Sequence, residues 1–264
     1  MTKDYEYLIC ENEEGVTIIT LNDPPKLNAL NLTMQTELLD ALRHVRDDDD
    51  TKVIIITGAG EKAFCVGADI EVFEGMSSIK GYRLMRDKGY EVHRLMEVME
   101  KPLIGAINGY CLAGGFEIAL ACDFIFAAED THFGAPEINL GIIPGWGGCV
   151  RLARAIGSRR AKECIMTGRR FPAAEAKDLG LVNRIIPRAM LVEETRRFAL
   201  DLAAKSPNAL KMAKMVVNLS LDVGDMDAAL AIERGAISVL FGTEDCAEGV
   251  AAFLEKRTPK FKGL

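Results

Sequence analysis

The sequence has few residues of the kinds that hold metal ions. Its three histidines, His44, His93 and His132, are far apart and show neither HxH nor HxxxH spacing. Its seven cysteines are scattered and odd in number and include no CxxC pair, a pattern typical of reduced thiols in a protein core. We therefore expect no zinc site and no disulfide framework.

An excess of basic residues is also missing. The 264-residue chain has 32 lysines and arginines against 39 aspartates and glutamates, which gives a net charge of −7. A protein of this charge has no general attraction for polyanions, so we expect no nucleic-acid partner. A phosphorylated ligand would require a local site built from a few lysines.

No apolar run reaches the roughly 18 residues that a membrane-spanning helix requires. The N-terminal residues are acidic and lack the basic and apolar segments of a signal or transit sequence. We therefore expect a cytoplasmic protein with no membrane partner. With 49% hydrophobic residues, the chain can bury a sizeable core.

Strand-like and helix-like segments alternate in the first part of the chain, and helices alone follow. Apolar, β-branched runs predict strands at 16–21, 53–57, 102–108 and 124–128. Apolar residues at helical spacing predict helices at 33–46, 116–122, 226–241 and 243–255, and helical segments with loop breaks at 167–184 and 188–205. This order is typical of an α/β core followed by a helical region, and we place them at residues 1–200 and 201–264.

A glycine-rich turn after the predicted strand at 102–108 leads into a short apolar helix. Gly114 and Gly115 open this helix, and glycine lets a backbone approach a ligand closely. The first amides of a helix lack partners within it and lie at the positive end of its dipole, where they can stabilise an oxyanion. Glu117 follows one turn later, where burying a carboxylate is costly. It could also simply complement the helix dipole.

A second acidic residue, Glu137, stands in another glycine-rich segment. It follows Pro136, and taken alone it could be an ordinary loop residue. If folding brings it close to Glu117, the like charges raise one pKa, so that one acid stays protonated near neutral pH while the other is ionised. Such a pair can activate a water molecule and protonate a carbon atom.

A dinucleotide-binding fingerprint is a competing interpretation of a third glycine cluster. The segment GAGEKA at 58–63 follows a predicted strand and matches GxGxxA. The fingerprint also requires a helix to begin there, and the following FCVG at 64–67 interrupts one. We therefore expect no nicotinamide cofactor.

Together, these segments resemble the enoyl-CoA hydratase/isomerase (crotonase) superfamily, and above all its enoyl-CoA hydratases. The similarity covers nearly the whole chain. It includes NALN at 28–31, FCVGAD at 64–69, NGYCLAGGFEIALACD at 108–123, FGAPEINLGIIPGWGG at 133–148, AEAKDLGLV at 174–182 and AFLEKR at 252–257. Each segment alone is a moderate signal, but their order and spacing make the resemblance specific.

The resemblance implies a right-handed spiral of ββα units with a helical C-terminal trimerisation region, assembled as a homotrimer or a dimer of trimers. It implies an oxyanion hole formed by the backbone N–H groups of Ala68 and Gly114, with Glu117 and Glu137 as the two catalytic acids. It also implies contacts with the acyl-CoA substrate, to which a neighbouring subunit can contribute the last two residues of the set. The set is Lys26, Leu27, Lys62, Val66, Ala68, Asp69, Ile70, Gly114, Phe253 and Lys256.

The activity implied is addition of water to a 2-enoyl-CoA thioester to give a 3-hydroxyacyl-CoA. No metal or other cofactor is expected, since coenzyme A is part of the substrate. The alternative is an enoyl-CoA isomerase or another crotonase-type lyase that acts on an alicyclic or aromatic-derived acyl-CoA. RNA binding, found in some hydratase-like proteins, would require a lysine-rich helix, whereas the helix predicted at 33–46 leads into four aspartates.

Three departures from the usual family pattern concern acyl preference and coenzyme A binding. Glu71 stands where lysine is common, Cys149-Val150 replaces Thr-Gln, and Trp146 replaces smaller residues. Trp146 could line the acyl pocket and favour short or cyclic acyl groups, or it could belong to the core.

Overall fold

Two β-sheets form the centre of the fold. The computed structural model describes residues 4–264, except for the side chains of residues 87 and 88. Numbered in chain order, the strands are β1 (Leu8–Glu13), β2 (Val16–Leu21), β3 (Val53–Gly58), β4 (Ala63–Cys65), β5 (Leu103–Ile107), β6 (Tyr110–Leu112), β7 (Phe124–Ala128), β8 (His132–Gly134), β9 (Arg170–Pro172) and β10 (Arg184–Ile186).

The larger sheet has the strand order β1-β2-β3-β5-β7-β10, and only β1 is antiparallel to its neighbour. The smaller sheet has the order β4-β6-β8-β9, with parallel pairing except between β8 and β9. Every residue of β3 and β5 is buried, as their unbroken apolar sequences predict. The α/β core is thereby confirmed.

Helices surround the sheets and make up most of the C-terminal part. They are α1 (Leu32–Asp47), α2 (Ser78–Leu84), α3 (Tyr90–Val98), α4 (Gly114–Leu120), α5 (Gly148–Ile156), α6 (Ser158–Thr167), α7 (Ala173–Asp178), α8 (Leu191–Ala203), α9 (Pro207–Asp222), α10 (Met226–Leu240) and α11 (Glu244–Glu255). A π-helical turn, Met85–Gly89, joins α2 to α3. In the described part of the chain, no helix combines the length and apolarity required to cross a bilayer. The division of the chain at residue 200 stays a prediction.

Local sequence explains where α1 begins and which face it buries. The Asn31 side chain caps the helix by accepting a hydrogen bond from Met34 N at 2.8 Å. Apolar side chains at helical spacing then face the core, among them Leu38, Leu42 and Val45. The strands predicted at 16–21 and 124–128 have these same bounds in the structure.

Residues 167–184, expected to be helical with loop breaks, contain one short helix with a strand on either side of it. Gly168, with a φ of 60°, ends α6, and the chain then forms β9, the short helix α7 and β10. The apolar spacing was misleading because Phe171 pairs with Phe133 across the small sheet and is fully buried as a strand residue. Tertiary burial therefore overrides the local helical pattern here.

An ion pair attaches α9 to the core. Lys214 Nζ donates to Asp123 Oδ2 at 2.8 Å and to two backbone carbonyl oxygens, those of Met96 and Lys101. Asp123 Oδ2 also accepts from Leu103 N, the first residue of β5. Burial raises the pKa of Asp123, and the charge of Lys214 opposes this rise. The C-terminal helices are thus joined to the turn between α4 and β7.

Replacing Lys214 by alanine should lower the free energy of unfolding by about 1–3 kcal/mol, because the partly buried Asp123 carboxylate would lose its counter-ion. Lys211→Ala is the matched control on the same helix, since Lys211 pairs with Glu100 at a largely exposed position. The control should cost about 1 kcal/mol or less. Urea denaturation followed by circular dichroism measures both losses, and equal losses would contradict the assigned role of Lys214.

Candidate active site

Two parallel strands of the small sheet bring Ala68 and Gly114 to the same edge. Cys65 in β4 pairs with Cys111 in β6, and Ala68 and Gly114 each follow three residues later. The segments approach so closely that a Cβ atom on Gly67 would lie 3.0 Å from Gly114 N. Gly67 also has a φ of 98°, which a side chain would disfavour.

The N–H groups of Ala68 and Gly114 are not used by the neighbouring backbone. Leu30 bridges to this segment by donating to Gly67 O and accepting from Asp69 N, so the Ala68 N–H points away from Leu30. Gly114 is the first residue of α4, where an amide has no partner within the helix. Within residues 4–264, neither N–H donates to a backbone carbonyl. Together they can donate to one ligand oxygen.

Backbone strain immediately precedes the second of these amides. Ala113 has a φ of 50° and a ψ of −126°, a combination rare for a residue with a side chain. Its N–H donates to Gly134 O in β8, which fixes this turn against the small sheet. The strained turn therefore determines the direction of the Gly114 N–H and the start of α4.

Glu117 is a buried carboxylate held by backbone amides. Its side chain lies on α4 with 3% exposure, and Oε1 accepts hydrogen bonds from Trp146 N at 2.7 Å and Gly148 N at 2.8 Å. Burial raises the pKa of Glu117 to about 7; the amide of Gly148 opposes this rise and the charge of Glu137 adds to it. A Cβ atom on Gly148 would lie 3.0 Å from Glu117 Oε1, so glycine permits this close contact.

Glu137 lies in a short 3₁₀ helix, Pro136–Leu140, that follows β8. Its side chain is 8% exposed, and burial raises its pKa. Among the described residues, Glu137 Oε2 has no hydrogen-bond partner although it is buried. A buried carboxylate oxygen of this kind is available to a ligand.

Folding brings the two acids within electrostatic reach of each other. The charge of Glu137 acts on Glu117, and both charges act on the thiol of Cys149 in the first turn of α5. Burial is the main reason that the pKa of Cys149 is raised, and the two carboxylates add to it. Two carboxylic acids with raised pKa values thus lie together, and one of them titrates near neutral pH.

Sequence reasoning missed the groups that hold Glu117. The amides of Trp146 and Gly148 bind the carboxylate, and the Arg151 side chain fixes this loop by donating to Trp146 O at 2.6 Å. Arg151 is also bound to Glu97 of α3 at 2.6 Å. Backbone donors have no signature in a sequence, but the spacing of Arg151 after the glycine run was an available signal.

The residues expected to contact coenzyme A lie in two separate places. One group adjoins Ala68, where Lys26 Nζ donates to Asp69 Oδ2 at 3.2 Å. Asn28 holds this loop against β4 by donating to Ala59 O and Ala63 O. The members of this group that remain partly or fully exposed are Lys26, Leu27, Lys62, Val66, Asp69 and Ile70.

Phe253 and Lys256 form the second group, at the end of α11. The Phe253 side chain is 83% exposed, and Lys256 follows the helix in a left-handed conformation. No contact among the described residues brings either of them to Glu117 or Glu137. Their expected part in substrate binding stays a prediction.

The described residues include no group of three or more histidine, cysteine or acidic side chains that could hold a metal ion. The groups that the structure brings together here are two acids and two backbone N–H groups. The segment GAGEKA also leads into β4 and not into a helix, so it lacks the structure of a dinucleotide site.

Comparison with known proteins identifies the family. The family model described as Enoyl-CoA hydratase/isomerase matches residues 11–264. This chain belongs to that family. It is 40% identical to the crotonyl-CoA hydratase of Syntrophomonas wolfei over 97% of its length and 98% of that protein. It is also 40% identical to the short-chain-enoyl-CoA hydratase of Clostridium acetobutylicum, with 95% of each chain covered.

The crystal structure of an enoyl-CoA hydratase from Bacillus anthracis superimposes on this chain with a TM-score of 0.94. The two share 40% sequence identity, and the alignment covers 98% of this chain and all of the other. The crotonase-type fold with a helical C-terminal region, implied by the sequence resemblance, is confirmed.

The pKa of Glu117 predicts how stability depends on pH. Because folding raises this pKa from 4.5 to about 7, the folded state favours the protonated acid. That contribution is complete below pH 4.5 and is lost as the pH rises through 7. Glu117→Gln should therefore gain stability relative to the unchanged protein by about 3 kcal/mol between pH 4.5 and 8.

Urea denaturation across this pH range measures the effect. Glu248→Gln is the control, since Arg257 holds the pKa of Glu248 at about 2 in the folded state, and its titration in the unfolded state is nearly complete by about pH 5.5. Parallel pH profiles for Glu117→Gln and the unchanged protein would contradict the raised pKa.

Proposed function

We propose that this protein is an enoyl-CoA hydratase, a hydro-lyase that converts a 2-enoyl-CoA thioester into a 3-hydroxyacyl-CoA. The observation that carries the proposal is the presence of two buried glutamates, Glu117 and Glu137, beside the free N–H groups of Ala68 and Gly114. The names of the relatives from Syntrophomonas and Clostridium support this activity.

In the proposed reaction, the thioester carbonyl oxygen accepts hydrogen bonds from Ala68 N and Gly114 N. This polarisation makes the β-carbon electrophilic and stabilises the enolate that forms when water attacks. Each donor of this kind is worth roughly 2.7–4 kcal/mol of transition-state stabilisation. The strained turn at Ala113 and the start of α4 fix one donor, so little reorganisation is required during the reaction.

Glu117 and Glu137 supply the acid and the base. One carboxylate removes a proton from the water as the water oxygen bonds to the β-carbon. The other, protonated acid gives a proton to the α-carbon, so that OH and H are both added and the pair returns to its starting charge. A carboxyl group with a pKa of about 7 exchanges protons efficiently near neutral pH. Because the two acids interact, their protonation belongs to the pair and not to either residue.

The proposal also covers substrate binding, cofactors and cellular location. The coenzyme A part would lie along the neighbouring segments that carry Lys26, Leu27, Lys62, Val66, Asp69 and Ile70. A neighbouring subunit would add Phe253 and Lys256. The reaction requires no metal, nicotinamide or nucleic acid, and we place the protein in the cytoplasm.

An isomerase on the same scaffold is less well supported, since it does not require both acids.

Replacing either acid by glutamine should lower the hydration rate by about 10²–10⁴, because shape and hydrogen bonding remain while the titratable group is lost. The double variant should cost much less than the product of the single losses, because the acids act as a unit. The hydration rate is measured as the loss of absorbance of the conjugated thioester.

Glu193→Gln, an exposed position on α8, is the matched control and should retain the full rate. If a folded Glu117→Gln or Glu137→Gln protein hydrates its best substrate at the unchanged rate, the assignment of the pair is wrong.

We also propose a homotrimer or a dimer of trimers. Large apolar side chains are exposed on and beside α10 and α11, including Met226, Phe241, Phe253 and Leu254. A surface of this kind in a water-soluble protein marks an interface. Light scattering at micromolar concentration should give three or six times the chain mass of 28.8 kDa, and a monomeric mass would contradict the proposal.

A further inference from the structure

The indole ring of Trp146 fills a space between two glycines. A Cβ atom on Gly114 would lie 2.5 Å from Trp146 Cζ3, at the benzene edge of the ring. A Cβ atom on Gly89 would lie 1.7 Å from Trp146 Nε1, at the opposite edge. The ring therefore reaches from the start of α4 to the π-helical turn Met85–Gly89, and it can do so only because both backbones lack a side chain.

This ring adjoins both parts of the proposed reaction site. Its benzene edge contacts Gly114, whose N–H faces the thioester oxygen in the proposed function, on which this inference rests. The backbone N–H of Trp146 holds Glu117 Oε1 at 2.7 Å. The indole therefore lies beside both the proposed carbonyl site at Gly114 and the proposed acid pair.

The ring is fixed by its surroundings. Trp146 is 4% exposed, and Arg151 holds its carbonyl oxygen. The imidazole of His93 lies 5.7 Å from the indole, measured between ring centroids, and His93 Nδ1 is hydrogen-bonded to Gly89 O at 2.6 Å. The ring is thus packed against the π-helical turn.

The polar atom of the ring has no role in holding it there. Trp146 Nε1 is buried and has no hydrogen-bond partner among the described residues. An unpaired buried donor is unfavourable, and a phenyl ring would avoid it. Compared with a phenyl ring, the indole contributes additional volume between Gly114 and Gly89.

We propose that Trp146 determines acyl-chain specificity by closing the far end of the acyl site, so that the protein acts on short-chain 2-enoyl-CoA esters and discriminates against long ones. The indole forms the end wall, and the π-helical turn behind it supports that wall. Removing the ring opens the space between the two glycines to additional methylene groups.

The test is a series of trans-2-enoyl-CoA esters with four, six, eight and ten carbons, assayed with the unchanged protein and with Trp146→Ala. The unchanged protein should show kcat/KM falling with chain length. The variant should raise the ratio of the ten-carbon to the four-carbon kcat/KM by at least about tenfold, since one methylene in a fitted pocket changes kcat/KM by about 10–200-fold. Met166→Ala, which truncates an exposed apolar side chain, should leave the ratio unchanged.

A second pair of variants tests the contact with the π-helical turn. Gly89→Ala should lower the four-carbon kcat/KM, because the added Cβ pushes the indole toward Gly114. Trp146→Leu in the Gly89→Ala background should restore a large part of the activity, because leucine has no ring at the position of Nε1 and Cδ1 and its branched end can turn away from the added Cβ. No such rescue is expected if Gly89→Ala acts only by disturbing the helix.

The outcomes separate this inference from the proposed function. If the unchanged protein hydrates none of the esters, the hydratase proposal itself fails. If it hydrates short and long esters equally, or if Trp146→Ala lowers kcat/KM by the same factor for every length, the role of Trp146 is overturned while the hydratase remains. Should Trp146→Ala not fold, the unchanged protein's profile and the rescue by Trp146→Leu decide the question by the same criteria.

Discussion

The contact on which the rest of the site depends is that between the Glu117 carboxylate and the backbone N–H groups of Trp146 and Gly148. An ionised carboxylate in an apolar interior is strongly unfavourable unless donors surround it, and these two amides partly offset the cost of burial. Several features follow from this contact. Residue 148 must be small, the loop must be fixed by Arg151, and α4 must begin where its first turn directs Glu117 inward.

Much of the site's chemistry could be read from the sequence, because it is carried by side chains in unusual surroundings. Glu117 stands in an apolar helix opened by two glycines, and the structure has α4 beginning at Gly114. The longer strands were also predictable from their apolar runs. The strands β4, β6 and β8 were not, since three residues are too few to show a period, and they fold as strands only through pairing with one another.

The sequence could not show contacts that are made by backbone groups or that depend on how side chains pack together. The amides that hold Glu117 have no residue type of their own, and the two interpretations of Trp146, core or pocket, were left open. The structure shows that they are not exclusive, since the indole belongs to the hydrophobic core and also contacts Gly114. The positions of Phe253 and Lys256 depend on assembly, which no pattern within one chain defines.

Because α9 is attached to Asp123, the C-terminal helices also support the active site of this enzyme. Asp123 lies between the end of α4 and the start of β7, and its carboxylate binds both Lys214 and the first amide of β5. A chain shortened before α9 would retain Glu117, Glu137 and the N–H groups of Ala68 and Gly114, but would have an uncompensated, partly buried negative charge one turn beyond the helix that carries Glu117. The helical region is therefore an internal support of the reaction centre as well as an outer surface, and exchanging it between relatives would require exchanging residue 123 as its partner.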